Sequence, residues 1–116
     1  MVWQGVIIKE SLEEDSLLKL CNIDKTVKKD NLTLLNIEVE DNNKEEFIKK
    51  AIFSIKKGKF YLNLIKDGVG YIIFNKKMFK FSKGYPEIET AKEYGKSLGI
   101  LEEQMPFEYL LNHPFR

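Results

Sequence analysis

Cysteine is almost missing from this chain of 116 residues, with Cys21 standing alone. A single thiol excludes an internal disulfide and any cysteine-based metal cage, so a buried, inert role is what remains for it. Histidine is as scarce: His113, the only one, lies three residues from the last position, a poor place for a general base. Arginine is confined to Arg116 against 18 lysines. Because arginine's planar fork reads guanine edges and clamps phosphate, whereas lysine is a hydrated point charge, sequence-specific DNA reading loses its usual tool. No hydrophobic run reaches membrane-spanning length. The apolar opening, residues 2–8, is broken by Gln4 and lacks a basic flank and a small-residue cleavage site, so it reads as neither span nor signal peptide. The expected setting is the cytoplasm, with no membrane contact. Also missing are a P-loop, a GxGxxG motif before a helix and a GxSxG elbow. Gly68-Val69-Gly70 falls inside a hairpin rather than at a helix N-terminus, so it is no phosphate cradle.

What is present describes one folded domain over residues 1–116. Hydrophobic residues make up 43% and the net charge is +1, which excludes the disordered class and leaves enough apolar material for a core. The charge is segregated, however. Residues 49–83 hold ten lysines against Asp67 alone, while residues 1–48 carry a net charge of −5 and residues 84–116 of −3. Such a block reads either as a patch for nucleic acid or another polyanion, through counterion release, or as a solvated surface answered by the acidic flanks.

Taken in order, residues 2–8 form a strand, and Ser11 with Glu14 has the form of a capping box opening a short helix, with Asp15 as an alternative start. Cys21, Ile23 and Val27 alternate with polar residues as in a half-buried strand, and a turn follows at residues 28–31. Residues 32–40 alternate cleanly, placing Leu35, Ile37 and Val39 opposite Asn36, Glu38 and Glu40. A helix over about 43–57 is marked by Asn42 as N-cap, Glu45 three residues on, and Gly58 at the C-cap. Its apolar side is Phe47, Ile48, Ala51, Ile52 and Ile55. After residues 59–82, Gly84-Tyr85-Pro86 breaks the pattern. A second helix covers about 87–98, with Gly95 permitting close packing and Gly99 ending it. Pro106 then starts a last short helix. The plan is α+β: a mainly antiparallel sheet of about five to six strands, with the two main helices packed on one face.

Residues 59–82 read as a three-stranded meander. A two-residue Asp67-Gly68 turn pairs Lys66 with Val69, Leu64 with Tyr71 and Leu62 with Ile73, so Phe60, Leu62, Leu64, Val69, Tyr71 and Ile73 share a core face. The other face carries Tyr61, Asn63, Ile65, Gly70, Ile72 and Phe74. The second turn leaves two outcomes open. A Lys76-Lys77 loop sends Phe79 and Phe81 to the side of Tyr61 and Phe74, making a second aromatic face; a three-residue loop over 75–77 sends both into the core. A second aromatic face would be packing under a helix, an oligomer interface, or a stacking platform for bases.

No motif settles the chemistry. Residues 67–74 match the RNA-recognition-motif signature at Gly68, Gly70, Tyr71 and Phe74, but Asp67 stands at the basic position and Val69 at the first stacking aromatic, and the strand order around it differs. Glu38 and Glu40 on one wet strand face are ordinary without a histidine or cysteine cluster beside them. No catalytic residue, metal site or cofactor is assigned. The opening Trp3-x-Gly5-Val6-Ile7-Ile8 with Glu10-Ser11-Leu12, and the closing Glu93-Tyr94-Gly95, Leu98-Gly99-Ile100 and Glu103-Gln104, are similar to a group of small uncharacterised microbial proteins. That resemblance implies no activity, cofactor or functional residue. The expectation is therefore a non-catalytic domain that self-associates, as a homo-oligomer, or binds a protein partner through its sheet. The alternative is nonspecific binding of single-stranded nucleic acid by Lys59, Lys76, Lys77, Lys80 and Lys83 with Tyr61 and Phe74.

Overall fold

The computed structural model describes residues 2–83 and 86–115. Six strands form one antiparallel sheet: β1 (Val2–Ile8), β2 (Asn22–Lys29), β3 (Leu32–Glu40), β4 (Leu62–Lys66), β5 (Val69–Phe74) and β6 (Lys77–Ser82), in the order β2-β3-β1-β4-β5-β6. Helices α1 (Lys44–Ser54), α2 (Glu87–Ser97) and the short α3 (Phe107–Leu110) pack against it. The α+β plan, the antiparallel sheet and the β4-β5-β6 meander are those expected from the chain. The break expected at residues 84–86 lies outside the described residues at Gly84 and Tyr85.

Turn chemistry sets the registers. Asp67 and Gly68 both take positive φ, 50° and 78°, and Asp30 and Asn31 do the same at 50° and 68°, as a two-residue hairpin turn of primed type requires. The first turn produces the Lys66↔Val69, Leu64↔Tyr71 and Leu62↔Ile73 pairs, and the second pairs Lys29 with Leu32. The β5–β6 loop is Asn75-Lys76, with Phe74 opposite Lys77. It has two residues, one position earlier than the Lys76-Lys77 loop, and so keeps the same facing. Phe79 and Phe81 fall opposite Ile72 and Gly70 on the side of Phe74. Lys76 takes φ 59° there, held because its N–H donates to the Ile52 carbonyl and the Asn75 amide donates to the Ile55 carbonyl, both at 2.8 Å.

The expectation that both main helices cover one face is corrected. Trp3, Ile7, Leu35, Ile37, Val39, Leu62, Leu64, Tyr71 and Ile73 pack with Phe47, Ile48 and Ala51 of α1, and with Ile55 just after it, on one face. On the other, Ile65, Ile72, Phe74 and Phe81 pack with Ile88 and Ala91 of α2 and Phe107 and Leu110 of α3. Adjacent strand residues such as Ile72 and Ile73 belong to different clusters, so the helices lie on opposite sides. The reason is that the meander is apolar on both faces, and each needs its own cover.

Local boundaries shift where tertiary contacts take over. Helix α1 stops at Ser54 instead of 57 because Ile55 turns extended and bridges Leu12, while Glu13 N–H and Lys56 N–H pair with the Ser54 and Ser11 carbonyls at 2.7 Å. The same contacts displace the helix expected at Ser11. The chain instead makes two 3-10 turns, Lys9–Ser11 and Asp15–Leu20, and the Ser11 hydroxyl donates to the Ile8 carbonyl. Asn43, not Asn42, holds the N-cap position of α1, with no side-chain capping bond.

Candidate binding groove

Helices α2 and α3 cover the meander half of their face and leave the β2-β3-β1 half open. The pairs of the Asp30-Asn31 hairpin put Lys29 opposite Leu32, Val27 opposite Leu34 and Lys25 opposite Asn36. These residues point away from α1, since Leu35, Ile37 and Val39 between them face it. Strand β1 adds Ile8 opposite Leu34 and Val6 opposite Asn36. The rows therefore run Lys25-Asn36-Val6 and Val27-Leu34-Ile8, one mixed and one apolar. Phe60, Tyr61, Asn63, Ile100 and Gln104 wall this floor to enclose a groove of about 820 Å³, within the size range of ligand sites.

The inner wall is tightly built. Asn63, 1% exposed, accepts the Val6 N–H at 3.3 Å and donates to the Pro114 carbonyl at 3.1 Å, tying the last residues to the sheet. Its chain neighbourhood demands Gly5, because a Cβ there would lie 1.8 Å from the Asn63 carbonyl oxygen. The Tyr61 hydroxyl donates to the Gln104 carbonyl at 2.6 Å, and its ring meets Phe107 edge-on at 5.3 Å. At the rim the stem of Lys59 lies over Gly99, whose φ of +91° closes α2. Lys25, Lys29 and Lys59 line the groove with Asp30 and Glu103, and none of these five forms an ion pair among the described residues.

The seven residues of the nucleic-acid alternative do not form one surface. Phe74 is 0% exposed, between Tyr61, Phe79 and Tyr94, so it offers no face to a base. Tyr61 is half-buried in the groove wall. Lys77 lies over the Phe79 ring and Lys80 over the Tyr71 ring, on opposite sides of β6, while Lys76 and Lys83 sit in turns at opposite ends of β6. Lys59 is at the groove, against Gly99 just beyond α2. Tyr71, the other aromatic of the RNA-motif match, is buried in the α1 cluster.

Residues with catalytic potential stand apart. His113 stacks on Tyr109 at 4.1 Å and does not line the groove. Cys21 is half-buried, its thiol pushed up to about 11 by burial, the reverse of an activated nucleophile. Glu38 pairs across strands with Gln4 and Asn22. Among the described residues no three His, Cys, Asp or Glu side chains gather as a cation site, and no helix is long and apolar enough to cross a membrane.

A second cluster, unforeseen from the chain, sits on the α1 face. Trp3 and Tyr71 pack with ring centroids 5.4 Å apart, Lys44 lies 5.0 Å and 5.3 Å from the two centroids, and Lys66 lies 5.7 Å from Trp3. The Trp3 indole N–H donates to Asp41 at 2.8 Å, which with the Lys66 ammonium at 3.0 Å holds that carboxyl below its usual range. Glu45 beside Lys44 raises the lysine. Every charge here has a partner, so the cluster is a fixed cation–aromatic corner that joins β1, β5 and the start of α1.

Comparison with protein-family models, curated proteins and solved structures finds no match to this chain. The groove therefore takes its meaning from geometry alone. Its outer strand, with Lys25 and Val27, was not singled out in the chain as a site. The signal available was Leu32 and Leu34 on the face of β3 that also carries Asn36 and Glu38.

Proposed function

We propose that this chain is a non-catalytic binding domain that acts in the cytoplasm by association with a polypeptide, a second copy or another protein, through the uncovered half of its sheet. The observation that carries this reading is the asymmetry of cover. One face is roofed along its core by α1, the other by helices only over β4-β5-β6, and the remaining floor bears Ile8, Val27 and Leu34, beside the buried Val6, in a hollow of about 820 Å³. A sheet face with this much apolar surface is ordinarily covered by a second layer, and concave exposed apolar patches mark interaction sites. The half-buried state of Ile8, Val27 and Leu34 leaves area for a partner to take out of water.

The test is fluorescence of anilinonaphthalene sulfonate with the full chain held dilute. The expected result is enhanced emission that is lost in Leu34→Glu, a change at a half-exposed position that leaves far-UV circular dichroism and Tm near those of the wild type. Emission unchanged by Leu34→Glu, in a variant that is folded, would remove the groove as the working surface.

A further inference from the structure

The groove has a projection beside it. Leu101, 56% exposed, stands at the rim between Ile100, which lines the groove, and the 3-10 turn Glu102–Gln104. That turn presents two carboxylates. Lys96 holds Glu102 at 3.3 Å, which leaves Glu103 as the free acid. Across the hollow Lys25 and Lys29 rise from β2 with Asp30 at the hairpin tip, while Lys59 and Glu103 line the opposite wall, beside Leu101. An apolar hollow edged by free ammonium groups therefore lies next to an apolar knob edged by a free carboxylate, on one face of one molecule. Such a patch is complementary to itself. Rotation about a two-fold axis lying in the face, between knob and hollow, brings each knob onto the other's hollow, the isologous arrangement that closes at two copies.

We propose that the occupant of the groove is a second copy of this chain, with Leu101 of each protomer seated on Val27, Leu34 and Ile8 of the other and Glu103 facing Lys25 and Lys29 across the interface. This rests on the groove being the association surface. The sheet edges fit a second copy less well. On β6 an antiparallel self-pairing about Lys80 sets that lysine opposite its own copy and Lys77 opposite Lys83, and β2 is interrupted by a bulge between Ile23 and Lys25; like charges and bulges are the devices that keep edges apart. The knob and hollow need no edge, since side chains of two faces carry the contact.

The experiment is sedimentation velocity of the full chain over about a hundredfold range of concentration, at low and high salt. The expected result is a monomer that becomes a dimer, and nothing larger, as concentration rises, with the transition shifted to higher concentration by salt. Leu101→Asp abolishes the dimer, because the knob is the apolar anchor. Lys25→Glu and Glu103→Lys each weaken it by roughly tenfold, and the double variant recovers most of that loss because the reversed charges meet across the interface. All three positions are exposed, so the variants keep the wild-type Tm, which is measured alongside. A chain that stays monomeric throughout, a dimer indifferent to Leu101→Asp, a larger assembly, or no recovery in the double variant overturns the proposal. If dye binding at the groove survives in a strictly monomeric chain, the dimer falls and the groove stands; if the groove also binds no dye, both fall.

Discussion

Replacing Gly5 by alanine tests the join between the two halves of the sheet. A Cβ at that position lies 1.8 Å from the Asn63 carbonyl oxygen and 2.9 Å from its carbon, against about 3.3 Å for an unstrained carbon–oxygen contact. The obstacle is backbone, so strand β1 or β4 must retreat by roughly 1.5 Å at the Gly5↔Leu64 pair. Overpacking of this kind costs about 1–3 kcal/mol. The neighbouring bonds, including Val6 N–H to the Asn63 side chain, lengthen and add about 2 kcal/mol. Gly5 has no positive φ, so alanine also narrows the unfolded chain and returns about 0.5–1 kcal/mol. The net loss is about 3 kcal/mol, or roughly 12–15 °C in Tm for a domain of this size. Gly95→Ala is the control. Its Cβ meets Met105 Sδ at 2.3 Å, but a thioether with three rotatable bonds moves aside, and the alanine gains about 1 kcal/mol of helix propensity. Its net change is within about 1 kcal/mol. Urea unfolding followed by Trp3 fluorescence and far-UV circular dichroism measures both at constant m. A Gly5→Ala loss no larger than that of Gly95→Ala would refute the reasoning.

Asn63→Leu strips the partners from Val6 N–H and the Pro114 carbonyl and costs about 2–3 kcal/mol in urea unfolding; amide exchange at residues 107–115 accelerates with it, since that segment loses its tie to the sheet. Acid weakens the fold through two carboxyls. Glu10, which accepts Thr33 N–H and its hydroxyl at 2.7 Å, and Asp41, which accepts the Trp3 indole, are both held below their ordinary values of 4.5 and 3.8. Because the folded values are the lower ones, their contribution is complete above those ordinary values and is lost as pH falls through the folded values. Glu10→Gln and Asp41→Asn thus flatten the fall of Tm below about pH 4.5, and an unchanged slope in both variants contradicts the assignment. Cys21, raised from 9.0 to about 11, reacts with a disulfide reagent near pH 8 about a hundredfold more slowly in the folded chain than in urea; equal rates would show an open thiol.

Much of the fold is legible in the chain, for local reasons. Asp67-Gly68 falls between alternating runs, and a two-residue turn with positive φ leaves one register, so the core face from Leu62 to Ile73 follows from turn chemistry and the two-residue period; the turn expected over residues 28–31 narrows to Asp30-Asn31, with Lys28 and Lys29 paired in β2. The 3.6-residue period finds α1 and α2, and Gly99 ends α2 as expected. Boundaries were less legible where a distant segment intervenes, as Leu12 and Ser11 do at the end of α1. The groove was hardly legible at all. Its floor joins β2 and β3 to β1, and its wall comes from residues 59–63 and 100–104, pieces that no sequence spacing relates.

The basic, aromatic stretch 49–83 divides along the same line. Its composition, its meander and its two apolar faces belong to the sequence, because alternation and turn propensity act over a few residues. Whether its aromatics meet solvent belongs to the tertiary structure. The C-terminal end of α1 holds the Asn75-Lys76 turn in a two-residue form, which places Phe79 and Phe81 beside Phe74, and α2 and α3 then bury that face. Strand order is decided there too, by placing β1 between β3 and β4. The part of that face the helices leave bare is consequently not the lysine-rich meander but β2-β3-β1. Which half that is depends on contacts between residues far apart in the chain, and local preference carries no information about them.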